Sequence, residues 1–138
     1  MIGKERIELR YEVDSSGVPV LLVDSISEII PEDANKIVVA GSHASQNVPR
    51  YALSIPLRGA VFNDAGLGKD QAGIASFGIL SAGGLPAVAV SHDTARIGDA
   101  QDVYKNGIIS AANELATEIG AEPGMTVADF IALVDATR

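Results

Sequence analysis

The chain has 138 residues, with 18 acidic against 10 basic side chains, a net charge of −8 and an isoelectric point near 4.5. That balance excludes a protein that works by gripping nucleic-acid phosphates, and 4% aromatic residues leave no platform for stacking bases. Hydrophobic residues reach 47% without a run of the roughly 18 that a membrane span needs, and the absence of cysteine removes disulfides, thiolate chemistry and Cys-ligated metals. No signal peptide is legible, so the expectation is one cytoplasmic domain over residues 1–138, large enough for its own core and without a membrane or nucleic-acid partner.

The first strand is predicted over Arg6 to Val13, where Ile7, Leu9, Tyr11 and Val13 alternate with charged residues. Asp14-Ser15-Ser16-Gly17 reads as a turn into a second strand, Val18 to Val23, giving an antiparallel hairpin. Ser25 and Glu28 have capping-box spacing, which predicts a short helical turn before Pro31.

The pattern then changes. Ile37 to Ala40 is a continuous apolar run, as expected of a parallel strand buried on both faces. It leads into Gly41-Ser42-His43, and a helix with Pro49 in its first turn follows. Gly59 to Phe62 is the next strand, followed by Asn63-Asp64, the glycine loop of Gly66 and Gly68, and Lys69. A helix is predicted from Asp70, as its cap, to about Ala82. Ala87 to Val90 is the third such strand and ends in Ser91-His92-Asp93. Asp99 and Asp102 open a helix that breaks near Gly107; Ile109 to Ile119 reads as helical; Thr126 caps a last helix bearing Val127, Phe130, Ile131 and Val134. These elements predict a single three-layer α/β domain. Its sheet is mostly parallel and Rossmann-like, with an N-terminal antiparallel hairpin and C-terminal helices. The apolar face of the last helix suggests a homo-oligomer.

Ligands of open α/β sheets bind outside the carboxyl ends of the strands, and all three strongly polar loops fall there. A strand, a glycine loop and a helix N-terminus together form an anion site, because backbone N–H groups and the helix dipole converge on one point. Lys69 and Arg96 are the cations of these loops and suit a small carboxylate or phosphate ligand, Arg96 through two parallel bonds and Lys69 as a point charge. The chain's two histidines, His43 and His92, each follow a serine at a strand end, and Asp64 lies between them in sequence. One reading has His43 or His92 moving a proton, Asp64 fixing the tautomer, and Ser42 or Ser91 positioning the substrate. The same His43, His92 and Asp64 are candidate ligands for a divalent metal such as zinc or iron. The plainer reading makes Asn63 and Asp64 turn residues and Asp70 and Asp99 helix caps.

Standard signatures do not fit. Asp70 replaces the Ser/Thr of a phosphate-binding loop, and Gln71 stands where a dinucleotide fingerprint needs its third glycine. A histidine after one strand and Asp-Ala-Gly after the next resembles the layout of caspase-like peptidases. A cysteine would stand at Gly66 there, so that chemistry is excluded. The blocks Gly41–His43, Asn63–Asp70 and Ser91–Asp99 together resemble a pattern from uncharacterised bacterial α/β proteins, over residues 37 to about 124. The resemblance implies one shared site and carries no activity. Two functions follow as expectations: an enzyme acting on an anionic metabolite, hydrolase or lyase foremost, or a non-catalytic ligand-binding or assembly module.

Overall fold

A computed structural model of the chain describes residues 10–13, 17–66 and 69–137, the side chains of residues 69, 70 and 72 excepted. Its strands are β1 (Arg10–Val13), β2 (Val20–Val23), β3 (Ile37–Ala40), β4 (Gly59–Asn63), β5 (Ala87–Val90) and β6 (Ile109–Ala112). They form one mixed sheet in the order β1-β2-β3-β4-β5-β6, with β2 to β5 mutually parallel and the two edge strands antiparallel to their neighbours. Five α-helices are described: α1 (Pro49–Ala52), α2 (Phe77–Ala82), α3 (Ala100–Asn106), α4 (Glu114–Glu118) and α5 (Val127–Ala136). This is an α/β architecture, and no helix is long and apolar enough to cross a membrane among the described residues.

The continuous apolar runs have a direct cause. Alternate residues of each central strand sort into two clusters. Leu22, Val39, Val61 and Val88 pack with Val103 of α3 and Phe130 and Val134 of α5. Leu21, Val38, Ala60 and Ala89 pack with Ala52 of α1 and Phe77 and Leu80 of α2.

Several expectations are corrected. Ile109 to Ile119 is not one helix. Residues 109–112 pair with β5, and only then does α4 begin. The alanines favour a helix, but Gly107 ends α3 and the open edge of β5 takes the segment as a strand. Asn113 closes β6 by accepting from Ala87 N–H and Ala116 N–H, so it also caps α4. The helix predicted over Asp70 to Ala82 is likewise divided, into a 3₁₀ segment, Lys69–Ile74, and α2. Gln71 has φ +59°, outside helical space, and the buried Ser76 is tied to Ala44 O through both its N–H and its hydroxyl. The face of α5 expected to drive association is occupied within the chain: Val127, Phe130 and Val134 are buried, and Ile131 packs against their cluster. The expected strand residues 6–9 and turn residues 14–16 lie outside the described residues.

The edge strand β1 is fastened by a charge network that composition alone does not reveal. Asp33, fully buried, takes two bonds from the Arg10 guanidinium at 2.9 and 3.1 Å, one from Lys36 Nζ at 2.9 Å and one from Ile30 N–H at 2.9 Å. Burial alone would raise the Asp33 carboxyl. The bonds from Arg10, Ile30 N–H and Lys36 overcome it and hold the group far below the ordinary carboxylate range. A depressed carboxyl contributes stability above its unfolded pKa of about 3.9, and that contribution fades as pH falls below this value. Asp33→Asn should therefore cost about 2–4 kcal/mol at neutral pH, less than a fully buried pair because both cations keep some water contact. Urea unfolding at pH 7 and pH 3 should show the gap between wild type and Asp33→Asn narrowing at the lower pH.

Candidate functional site

The segment after β5 does not leave the sheet directly. It crosses the carboxyl ends of the neighbouring strands one after another. Asn63 Nδ2 at the end of β4 donates to Ala95 O at 2.8 Å. Gly98 N–H donates to Gly41 O, just past β3, at 2.7 Å. Ala100 N–H donates to Asp24 Oδ1, just past β2, at 3.1 Å. Residues 91–100 are thus a strap from the end of β5 across three further strand ends. Gly41 permits the close crossing, since a Cβ there would stand 2.5 Å from Asp99 N.

Asp64 is the node beneath this strap. Its carboxylate is 4% exposed as a residue and accepts from Gly66 N–H at 2.7 Å, His92 N–H at 3.0 Å and Ser110 Oγ at 2.6 Å. The Nδ1 of His92 lies 3.5 Å from the same Oδ1 that takes the His92 N–H. One carboxylate therefore joins β4, β5 and β6 and sits beside a solvent-facing imidazole whose side chain is 52% exposed. The far nitrogen, Nε2, is 3.3 Å from Asp93, an open surface carboxylate. The His92 ring also packs over Gly66, where a Cβ would meet it at 3.3 Å and where φ is +74°.

The other expected site residues divide into those engaged in the scaffold and those left open. Asn63 is fully buried. Besides its bond to Ala95 O, its Oδ1 accepts from Ala65 N–H. Ser42 Oγ accepts from Ile26 N–H, and Ser91 Oγ from Asp93 N–H. Asp99 is the cap expected of it, accepting from Asp102 N–H, and Thr126 caps α5 in a capping box with Asp129. Asp102 is held below its ordinary carboxylate range by the Asn106 amide and the Arg96 N–H. Arg96 itself is exposed and borders an open depression of about 360 Å³ with Tyr11, Asp24, Ile97 and Gln101. His43 is half-buried in a different groove of about 300 Å³, whose lining includes neither Asp64 nor His92. The structure thus pairs Asp64 with His92 and leaves His43 elsewhere.

The anion cradle needs revision on two points. The Gly66 N–H, expected to face a ligand, is taken by the Asp64 side chain, and the neighbouring Ala65 N–H by Asn63. These are Asx turns, the local competition expected of such side chains. The segment after the glycine loop is a 3₁₀ turn and supplies no α-helix dipole. Gly68 and the side chains of Lys69 and Asp70 lie outside the described residues. For the metal reading, no three His, Asp or Glu side chains form a ligating group among the described residues, so His43, His92 and Asp64 are not assembled as one.

Ser110 is the site residue that sequence reasoning missed, because its segment reads as helical. It stands where the register between β5 and β6 shifts, an irregularity that aims its hydroxyl at Asp64. No family model, curated protein or solved structure matches the chain.

A hydroxyl donating to a buried carboxylate is a charge-assisted bond, so Ser110→Ala should destabilise the fold by about 1.5–3 kcal/mol in urea unfolding. Ser110→Thr, which keeps the donor on a β-branched strand residue, should recover most of it. Equal loss in both variants would mean that the 2.6 Å bond adds nothing.

Proposed function

We propose that the chain is a small enzyme that moves a proton on an anionic metabolite, a carboxylate or phosphate, at the carboxyl ends of β4 and β5. The observation that carries this is the Asp64–His92 pair: a buried, fully bonded carboxylate beside a solvent-facing imidazole. The fold is read here as a three-layer, Rossmann-like domain, supported by the two apolar clusters that the central strands divide between them. The absence of cysteine supports a cytoplasmic setting.

In this reading Asp64 is a positioning residue. It accepts from Nδ1–H and fixes the neutral tautomer, which leaves Nε2 to move the proton. The Nδ1 contact of 3.5 Å is long for a hydrogen bond, as such contacts often are before substrate tightens them. Asp93 is 81% exposed on its side chain and can swing away from Nε2 when substrate arrives. Arg96 on the strap and Lys69 after the glycine loop are the cations that would hold the anion in this reading, Arg96 from a depression that it shares with Asp24 and Asp99. Proton transfer at one imidazole serves hydrolysis or elimination alike.

The second reading, a non-catalytic binding or assembly module, has its own support. Asn63, Ser42, Ser91 and two loop N–H groups are engaged in holding the strap, which is how a scaffold uses polar residues.

Thermal shift with inorganic phosphate and small di- and tricarboxylates separates the two. A ligand bound only by the folded state raises Tm. The enzyme reading expects an anion-dependent rise that Arg96→Ala or Lys69→Ala weakens about ten- to a hundredfold in affinity, the worth of one charge-assisted contact. His92→Gln should keep that binding and abolish turnover. Anion binding that ignores Arg96 and Lys69, or none, contradicts the anionic-substrate reading.

A further inference from the structure

The groove around His43 has a chemistry unlike that of the Asp64–His92 pair. It opens beyond the carboxyl ends of β2 and β3, on the side of the cluster that holds Ile26 and Val48. Every residue of its lining is uncharged if His43 is neutral, in a chain with 20% charged residues. Four of its polar side chains, His43, Ser45, Asn47 and Tyr51, make no hydrogen bond to other described residues. They offer both donors and acceptors: two ring nitrogens, an amide and two hydroxyls. The floor is set by Ser42, whose Oγ is fixed by Ile26 N–H. Tyr51 at the rim is 36% exposed and is steadied by the Arg50 guanidinium, 5.7 Å from its ring centroid.

We propose that this groove is a second binding site, for an uncharged, hydroxyl-rich small molecule about the size of one sugar ring. A convergent set of unengaged donors and acceptors matches a ligand that bears both on every oxygen. The phenol ring at the rim gives its C–H face an apolar surface. The groove's volume of about 300 Å³ has room for one such ring. The lining itself holds no Lys or Arg, and the Arg50 guanidinium beside it lies over the Tyr51 ring.

The test is a titration followed by NMR on the His43 and Tyr51 ring signals of the labelled protein. The uncharged probes are glucose, ribose and myo-inositol; the charged ones are inorganic phosphate and citrate. At least one uncharged probe should give saturable shifts at both rings with a Kd of about 1 mM or tighter, a strength within reach of several uncharged hydrogen bonds. Tyr51→Ala and Asn47→Ala, both at exposed positions, should keep the folded spectrum and weaken that binding about fivefold or more each, the loss of one neutral hydrogen bond. Three outcomes overturn the proposal: no saturable shift with any uncharged probe, saturation of His43 by phosphate or citrate, or binding that neither variant weakens.

Discussion

The Asp64 carboxylate is the constraint on which the edge of this molecule rests. It cannot stand buried without partners, because an ionised group removed from water needs hydrogen bonds or charges around it. It finds them in the loop after β4, the turn after β5 and on β6, in Gly66 N–H, His92 N–H and Ser110 Oγ. Meeting that requirement brings the end of β4, the first turn after β5 and the irregular register of β6 to one point. The exposed imidazole of His92 stands where it does because its own backbone is bound to the same oxygen that its ring faces.

The strap gives the site its shape. In an open α/β sheet the carboxyl edge is where a ligand enters, and here residues 91–100 cross that edge, bonded to the ends of β4, β3 and β2 in turn. Two depressions border this edge among the described residues. The one beside Arg96 adjoins Leu22 and Ala100, which belong to the cluster of α3 and α5. The one around His43 adjoins Ile26 and Val48, which belong to the cluster of α1 and α2. The first is lined by Arg96 together with Asp24 and Asp99, and the second by no Asp, Glu, Lys or Arg.

What the sequence discloses and what it withholds have physical causes. The runs Ile37–Ala40, Gly59–Phe62 and Ala87–Val90 were legible as parallel strands because burial on both faces leaves no room for polar alternation. The caps Asp99 and Thr126 were legible because capping is local chemistry. β6 was not, since Ile-Ser-Ala-Ala carries no period of its own and becomes a strand only against β5. With it went Ser110. The network of Asp33, Arg10 and Lys36 joins partners as far as 23 residues apart, which no local pattern records. The glycine loop shows a related effect. Its residue types suit an anion cradle, but Asn63 and Asp64 reach the N–H groups first. His43 and His92 look equivalent in sequence, each after a serine at a strand end, and the structure gives only one of them a carboxylate.

The central claim is that Asp64 fixes the His92 ring through Nδ1. A long-range proton–nitrogen correlation spectrum of the neutral protein reads this directly, with His43, which has no carboxylate within ion-pair reach among the described residues, as the internal comparison. An imidazole without a partner favours the Nε2–H form, whereas a carboxylate facing Nδ1 holds the proton there. The account predicts His92 in the Nδ1–H form, with buried Asp64 holding the proton against the exposed Asp93 that lies 3.3 Å from Nε2. A neutral His92 that carries its proton on Nε2, or averages between the two forms, would contradict it.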